Sequence, residues 1–225
     1  MAGRKQSQGK CAFCGRQLTK GGMTRHLQVC PQRQAAIQEA SQRPGQEQLL
    51  LHLQVQDAWA APYWMHLEMN GSAPLSALDD YLRAIWLECC GHLSQFSIGG
   101  WGGPEIPMRR RADTVFKPGI TLTHIYDFGT SSETLIKAIG ARRGRPLTAN
   151  PIYLMARNDL PELPCAECDR PATWLCQVCM EQTDELLALC DEHATAHEHY
   201  NEMTPIVNSP RVGMCGYNGP AEPPY

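Results

Sequence analysis

The chain has 225 residues, 43% of them hydrophobic and 7% aromatic, with 11 cysteines and a formal charge of -3. That length leaves room for one modest core with small appendages, not for a large enzyme. No run of eighteen apolar residues occurs and the first residues, Met1-Ala2-Gly3-Arg4-Lys5-Gln6, precede no hydrophobic stretch, so neither a membrane span nor a secretory signal is expected. A chain kept in a reducing, cytoplasmic compartment uses cysteines as thiolate ligands rather than disulfide partners, which makes metal binding the first expectation.

Charge is polarised along the chain. Residues 1–38 carry seven bases and no acid, residues 39–159 are nearly balanced, and residues 160–225 carry two bases against eleven acids. A basic arm points to phosphates or an acidic surface, and an acidic end is ill suited to nucleic acid.

The first element is a basic segment over residues 1–34. Cys11-Ala-Phe-Cys14 is followed by His26 and Cys30. A CxxC knuckle and a His/Cys pair four apart on one helix face suit a tetrahedral zinc ion, with Leu18 and Met23 as a miniature core. The pattern resembles a Cys-Cys-His-Cys variant of the single zinc finger. Aligned on that pattern, Thr19, Gly22 and Arg25 take the positions that face bases, and only Arg25 is equipped for a strong base contact. The basic residues Arg4, Lys5, Lys10, Arg16, Lys20 and Arg25 are the candidate contacts to DNA or RNA. One finger buries little surface, so docking on a protein and a purely structural role stand beside phosphate contact.

Residues 35–46, polar and closed by Pro44-Gly45, read as a short helix tail and a linker. Next come two alternating strands. Leu51, Leu53 and Val55 oppose His52, Gln54 and Gln56; then, over residues 63–69, Met65, Leu67 and Met69 oppose Trp64, His66 and Glu68. Over residues 74–90 the period becomes helical, with Leu75, Leu78, Leu82, Ile85 and Cys89 on one stripe and Asp79, Asp80, Arg83 and Glu88 on the other. Pro74 fits the first turn and Ser76 with Asp79 a capping box. A strand over 92–98, an irregular Gly/Pro-rich stretch over 99–119, and strands near 121–128, 134–140 and 152–157 complete a compact α+β domain over residues 47–159. Its order is like that of a β-grasp sheet with a helix across one face. Arg109-Arg110-Arg111 and Arg142-Arg143-x-Arg145 read as solvated loops.

Within this domain, Gly91-His-Leu-Ser-Gln-Phe-Ser-Ile98 after the helix, Trp64, and Ile125-Tyr-Asp-Phe-Gly129 carry a resemblance to the bacterial family named for the third open reading frame of an agropine-type Ri plasmid. Its members are also described as insertion-sequence passenger proteins. The resemblance covers residues 47–157 and implies an α+β, β-grasp-like domain in proteins of mobile elements, without an established reaction. The family's Trp-Arg-Arg is Trp64-Met65-His66 here, its Leu-His is Leu78-Asp79, and the acid after Tyr-Asp-Phe-Gly is Thr130. No recombinase serine or tyrosine motif is present. An enzymatic alternative, a thiol-dependent hydrolase or transferase, would rest on Cys90, His92 and Asp127, with Cys89 adjacent, because a thiolate needs a base and an orienting acid.

Residues 160–225 hold the densest ligand pattern: Cys165-x-x-Cys168, Cys176-x-x-Cys179, Cys190-x-x-His193, then His197 and His199. Eight ligands suffice for two closed tetrahedral sites, which with the finger gives three Zn2+ per chain. The spacing resembles the B-box type of zinc module. That resemblance implies a cross-brace, one zinc on Cys165, Cys168, Cys190 and His193 and the other on Cys176, Cys179, His197 and His199. His197 and His199 are closer than is usual, so Cys215 is an alternative to either, and a sequential pairing stays open. Closed sites argue for structure, and B-box modules serve in protein contacts. The turn-rich Asn208-Ser-Pro-Arg211 segment looks like one that follows such modules in some bacterial proteins, and Arg211 is a candidate contact residue. Taken together, the expected protein is a bacterial zinc-binding adaptor whose finger docks nucleic acid or an acidic partner and whose C-terminal module holds a protein.

Overall fold

The computed structural model describes residues 7–117, 119–183 and 186–225. Arg4 and Lys5, among the candidate nucleic-acid contacts, lie outside them. The N-terminal segment forms β1 (Gln8–Cys11), β2 (Gln17–Thr19), α1 (Lys20–Val29) and α2 (Pro31–Gln42). Pro31, which needs no backbone donor in a first turn, starts α2 directly after Cys30. The stretch read as a short helix tail and a linker from residue 35 is helical as far as Gln42.

The central part follows with β3 (Gln48–Asp57), β4 (Trp64–Asn70), α3 (Leu75–Leu82) continued by one π-type turn over Arg83–Leu87, β5 (Ser94–Ile98), β6 (Glu105–Ile106), α4 (Ala112–Val115), β7 (Thr121–Tyr126), β8 (Ser132–Gly144) and β9 (Ile152–Asn158). The stretch read as irregular over 99–119 thus contains β6 and α4. These strands and the first two make one nine-stranded sheet, ordered β2-β1-β9-β4-β3-β8-β7-β5-β6. All its ladders among the described residues are antiparallel, from β3 against β4, with Leu53 opposite Leu67, to β7 against β8.

The alternation in β3 and β4 assigns the two faces. Leu51, Leu53, Val55, Met65, Leu67 and Met69 enter the main core, with Leu75, Leu78, Leu82, Ile85 and Trp86 from the helix above. The opposite face is covered as well. Trp64, His66 and Glu68 are buried, because α1 and α2 lie over that side and pack Met23 and Leu27 against Trp64, Met155 and Ala156. The N-terminal segment is thus a second layer of the sheet. β1 pairs with β9, Gly9 opposite Asn158, and an added Cβ at Gly9 would lie 2.2 Å from the Arg157 carbonyl oxygen, so only glycine admits this approach.

Three local expectations are corrected. Pro74 is the N-cap residue of α3, which has no side-chain cap. Asp79, read as part of a capping box and of a polar stripe, is buried and accepts hydrogen bonds from Ser94 Oγ at 2.7 Å and Arg83 Nε at 2.9 Å, with His124 Nε2 at 2.6 Å. Arg142 is likewise no solvated loop residue: from β8 it donates to both carboxylate oxygens of Glu68, at 2.8 and 2.6 Å.

The C-terminal part holds β10 (Trp174–Cys176), α5 (Gln177–Thr183), β11 (Ala188–Leu189), α6 (Asp191–Ala196), a 3-10 turn over Tyr200–Glu202 and β12 (Met203–Pro205), with β10 central in a three-stranded sheet. Its core is small: Leu189 and Ala194 with Cys165 and Cys190, flanked by Trp174, Leu187 and Met203. Leu186, next to Leu187 of this cluster, is exposed. The last residues return to the central sheet, where Ser209 Oγ donates to the Trp86 carbonyl at 2.5 Å and Arg157 Nη1 to the Ala221 carbonyl at 2.8 Å.

Candidate metal centres

Among the described residues, four Cys/His sets could hold a metal ion, the ligand atoms within each lying no more than 4.8 Å apart. The first joins Cys11 and Cys14, from the end of β1 and the turn after it, to His26 and Cys30 at the end of α1. Thr19 caps this helix by accepting from Gly22 N at 3.4 Å. With the helix started there, His26 and Cys30 fall one turn apart on the face toward the knuckle, and His26 Nε2 lies 3.2 Å from Cys14 Sγ. Burial pushes the Cys11 thiol up to about 11, so the thiolate state is costly there unless a cation supplies countercharge.

In the C-terminal part, Cys165, Cys168, Cys190 and His193 form one set and Cys176, Cys179, His197 and His199 the other. In the first, His193 Nδ1 lies 3.3 Å from Cys165 Sγ and Cys168 Sγ 3.9 Å from Cys190 Sγ. Desolvation opposes ionisation of Cys165, but the His193 contact and backbone donors outweigh it and lower that thiol to about 6. In the second, His197 presents Nε2 to Cys179 at 3.3 Å and His199 presents Nδ1 to the same sulfur at 3.4 Å. Opposite ring nitrogens let two histidines one residue apart converge on a single point. Cys215 belongs to a different set.

The fourth set is Cys89, Cys90, His92 and Cys215. Cys215 Sγ lies 3.8 Å from Cys90 Sγ and 3.4 Å from His92 Nε2. The sequence offered two of its parts, the Cys/His/Asp trio and a displaced Cys215, without joining them. Local spacing carried no signal for that union, since Cys90 and Cys215 lie 125 positions apart and meet through the returning tail.

Asp127 Oδ2 stands 3.5 Å from His92 Nε2, the same nitrogen that meets Cys215. In a thiol–base–acid relay the acid holds the nitrogen opposite the thiol. Asp127 is moreover engaged elsewhere: Gly129 N donates to Oδ1 at 2.9 Å and Arg211 Nη2 to Oδ2 at 2.6 Å. Cys90, His92 and Asp127 are therefore neighbours, but not arranged as a nucleophile, base and orienter.

Of the described candidate nucleic-acid residues, Lys10, Arg16 and Arg25 are exposed, Lys10 standing 4.0 Å from Asp159. Lys20 is turned to the sheet and bonded to Gln56 Oε1. Thr19 is occupied as the helix cap. Arg211 is fully buried, so its contacts are with this chain itself.

No helix among the described residues is long and apolar enough to cross a membrane. No protein-family model and no curated protein matches the chain. Among solved structures, a crystal structure of a protein of unknown function from Methanosarcina mazei Go1 is similar at 13% identity and a TM-score of 0.40, over 48% of this chain and 67% of that one.

Proposed function

We propose that this protein is a zinc-organised adaptor, with Zn2+ in the Cys11/Cys14/His26/Cys30 set and in the two C-terminal sets. The observation that carries this reading is that each set already supplies four protein ligands, which leaves no position for water or substrate and favours a structural over a catalytic metal. The interleaved pairing of Cys165/Cys168 with Cys190/His193, and of Cys176/Cys179 with His197/His199, supports a B-box-like cross-brace. In this reading the acidic C-terminal module holds a protein partner. In the same reading the exposed Lys10, Arg16 and Arg25 supply the cationic face for a polyanion, DNA, RNA or an acidic protein surface. Membership of the central domain in the Ri-plasmid family, and with it a β-grasp relationship, a bacterial mobile-element setting and a cytoplasmic location, belongs to the same proposal on the residues that carry the resemblance.

Because β1 is built into the central sheet, the test must keep the N-terminal segment in place. Labelled duplex DNA, single-stranded DNA and RNA are titrated with the intact zinc-loaded protein and with an Arg16→Glu/Arg25→Glu variant across a salt series. Affinity that falls steeply with salt and at least tenfold in the variant is the expected result. If no nucleic acid binds and acidic proteins are not retained either, the cationic face has no docking role.

A further inference from the structure

We propose that Cys89, Cys90, His92 and Cys215 form a fourth metal site, which takes one Zn2+ and fastens the C-terminal tail to the central sheet. The distances fit the ion. With Zn–S near 2.3 Å and Zn–N near 2.0–2.1 Å, the edges of a tetrahedral site are about 3.8 Å between sulfurs and about 3.5 Å between sulfur and nitrogen. Cys90 and Cys215 are separated by 3.8 Å, and His92 Nε2 and Cys215 by 3.4 Å. Three thiolates and an imidazole select zinc over the hard cations, which need oxygen ligands.

The protein holds this geometry from both sides. The Cys89–His92 loop is wrapped around the Tyr126 hydroxyl, which accepts from Cys89 N at 3.3 Å and His92 N at 3.4 Å and donates to Glu88 Oε1 at 2.9 Å. Arg83 Nη2 ties the His92 carbonyl at 2.7 Å. On the tail, Cys215 has a left-handed backbone, with φ 51°, between Gly213 and Gly216, which are also left-handed. A non-glycine residue rarely adopts this conformation, and here it accompanies a sulfur turned to the loop, 3.4 Å from His92 Nε2. Arg211, four residues earlier, is anchored on Asp127 beside His92, which fixes the approach of the tail. Second-sphere contacts of this kind orient metal ligands.

The decisive measurement is the difference in bound zinc between the full-length protein and its Cys215→Ser and Cys90→Ser variants. Native mass spectrometry of protein purified under reducing conditions from zinc-supplemented cells counts the ions. Each variant is expected to lose one Zn2+, and trypsin is expected to cut the tail beyond residue 205 at least tenfold faster in both. Cys90 is exposed, so its replacement leaves the core intact even if Cys215→Ser disturbs the tail. An unchanged zinc count in Cys90→Ser and Cys215→Ser overturns the proposal, as does a wild-type chain isolated with a Cys90–Cys215 disulfide in place of the ion. Because the readout is a difference, a vacant site among the other three would change the total and count against the adaptor reading, without imitating either result.

Discussion

Arg211 donates to the Asp127 carboxylate at 2.6 Å across 84 residues of sequence, and both side chains are buried. The same guanidinium donates to the Thr130 carbonyl at 2.8 Å and Ser132 Oγ at 2.9 Å, and lies over the Tyr126 ring at 5.0 Å. A buried pair with this many partners is worth little over an apolar replacement of both, but removing one member strands the other. Arg211→Ala should therefore destabilise the protein by about 3 kcal/mol or more, read as a shift in the urea midpoint. Asp127→Asn keeps the shape and the Oδ1 acceptor for Gly129 N but leaves the buried Arg211 charge uncompensated, so it should cost a comparable amount. Equal midpoints for Arg211→Ala and wild type would show that the tail is not held by this pair.

Beneath α1, His52 and His66 share a hydrogen bond of 2.9 Å inside the sheet's second interface. Burial, reinforced for His52 by His66 itself, lowers their pKa values to about 3 and about 4. Both are thus neutral in the folded protein, while the unfolded chain takes up their protons below its ordinary value near 6.5. With the unfolded state binding more protons, stability is complete above that value and falls as pH drops toward 4, by about 1.4 kcal/mol per pH unit for each histidine. Acid also strips metal sites, so the comparison is with His52→Gln/His66→Gln. The double variant should show a shallower loss between pH 6.5 and 4.5 in denaturant titrations. Parallel curves would exclude the pair as the source.

Gly9 supports a sharper steric prediction. Its missing side chain lets β1 lie against β9, where a Cβ would press on the Arg157 carbonyl and on Asn158. Gly9→Ala must open that ladder or shift β9, and overpacking of this kind costs about 1–3 kcal/mol. Amide exchange of residues 152–158 should accelerate in the variant, together with a lower thermal midpoint. Unaltered exchange would mean that β1 is not needed to protect the sheet edge.

How far the sequence carried this picture depends on the range of each interaction. Ligand pairs such as Cys165/Cys168 and His26/Cys30 are legible because the chain itself sets their spacing, by a tight knuckle or one helical turn. The alternation of Leu51, Leu53 and Val55 gave β3 for the same reason. The burial of Trp64, His66 and Glu68 was not legible, because period-2 patterning cannot tell a wet face from one covered by polar and aromatic partners. Glu68 is buried between Arg33 and Arg142, which come from opposite ends of the domain. Asp79 was placed on the polar stripe of its helix for want of any local sign of His124 and Ser94. Cys215 met its neighbours only because the tail returns.

Metal removal separates the parts of the protein by the size of their cores. The central layer buries Trp86, Tyr81, Phe96 and many aliphatic residues, enough to stay folded without ions. The C-terminal part has Leu189 and Ala194 as the centre of its buried cluster, with Cys165 and Cys190 themselves completing it. A core that small cannot offset the entropy of ordering its chain unless the ligands are cross-linked. A strong zinc chelator at neutral pH under reducing conditions should therefore abolish amide protection over residues 165–199, while protection in β3, β7 and β8 persists. The first metal set should respond in between, since Met23 and Leu27 keep their contacts with Trp64 after the ion has gone. Returning one Zn2+ at a time should restore protection to both C-terminal sets together, because the two ligand pairs of each set flank one pair of the other along the chain. Persistent protection of residues 165–199 in the metal-free protein would show that its apolar contacts suffice.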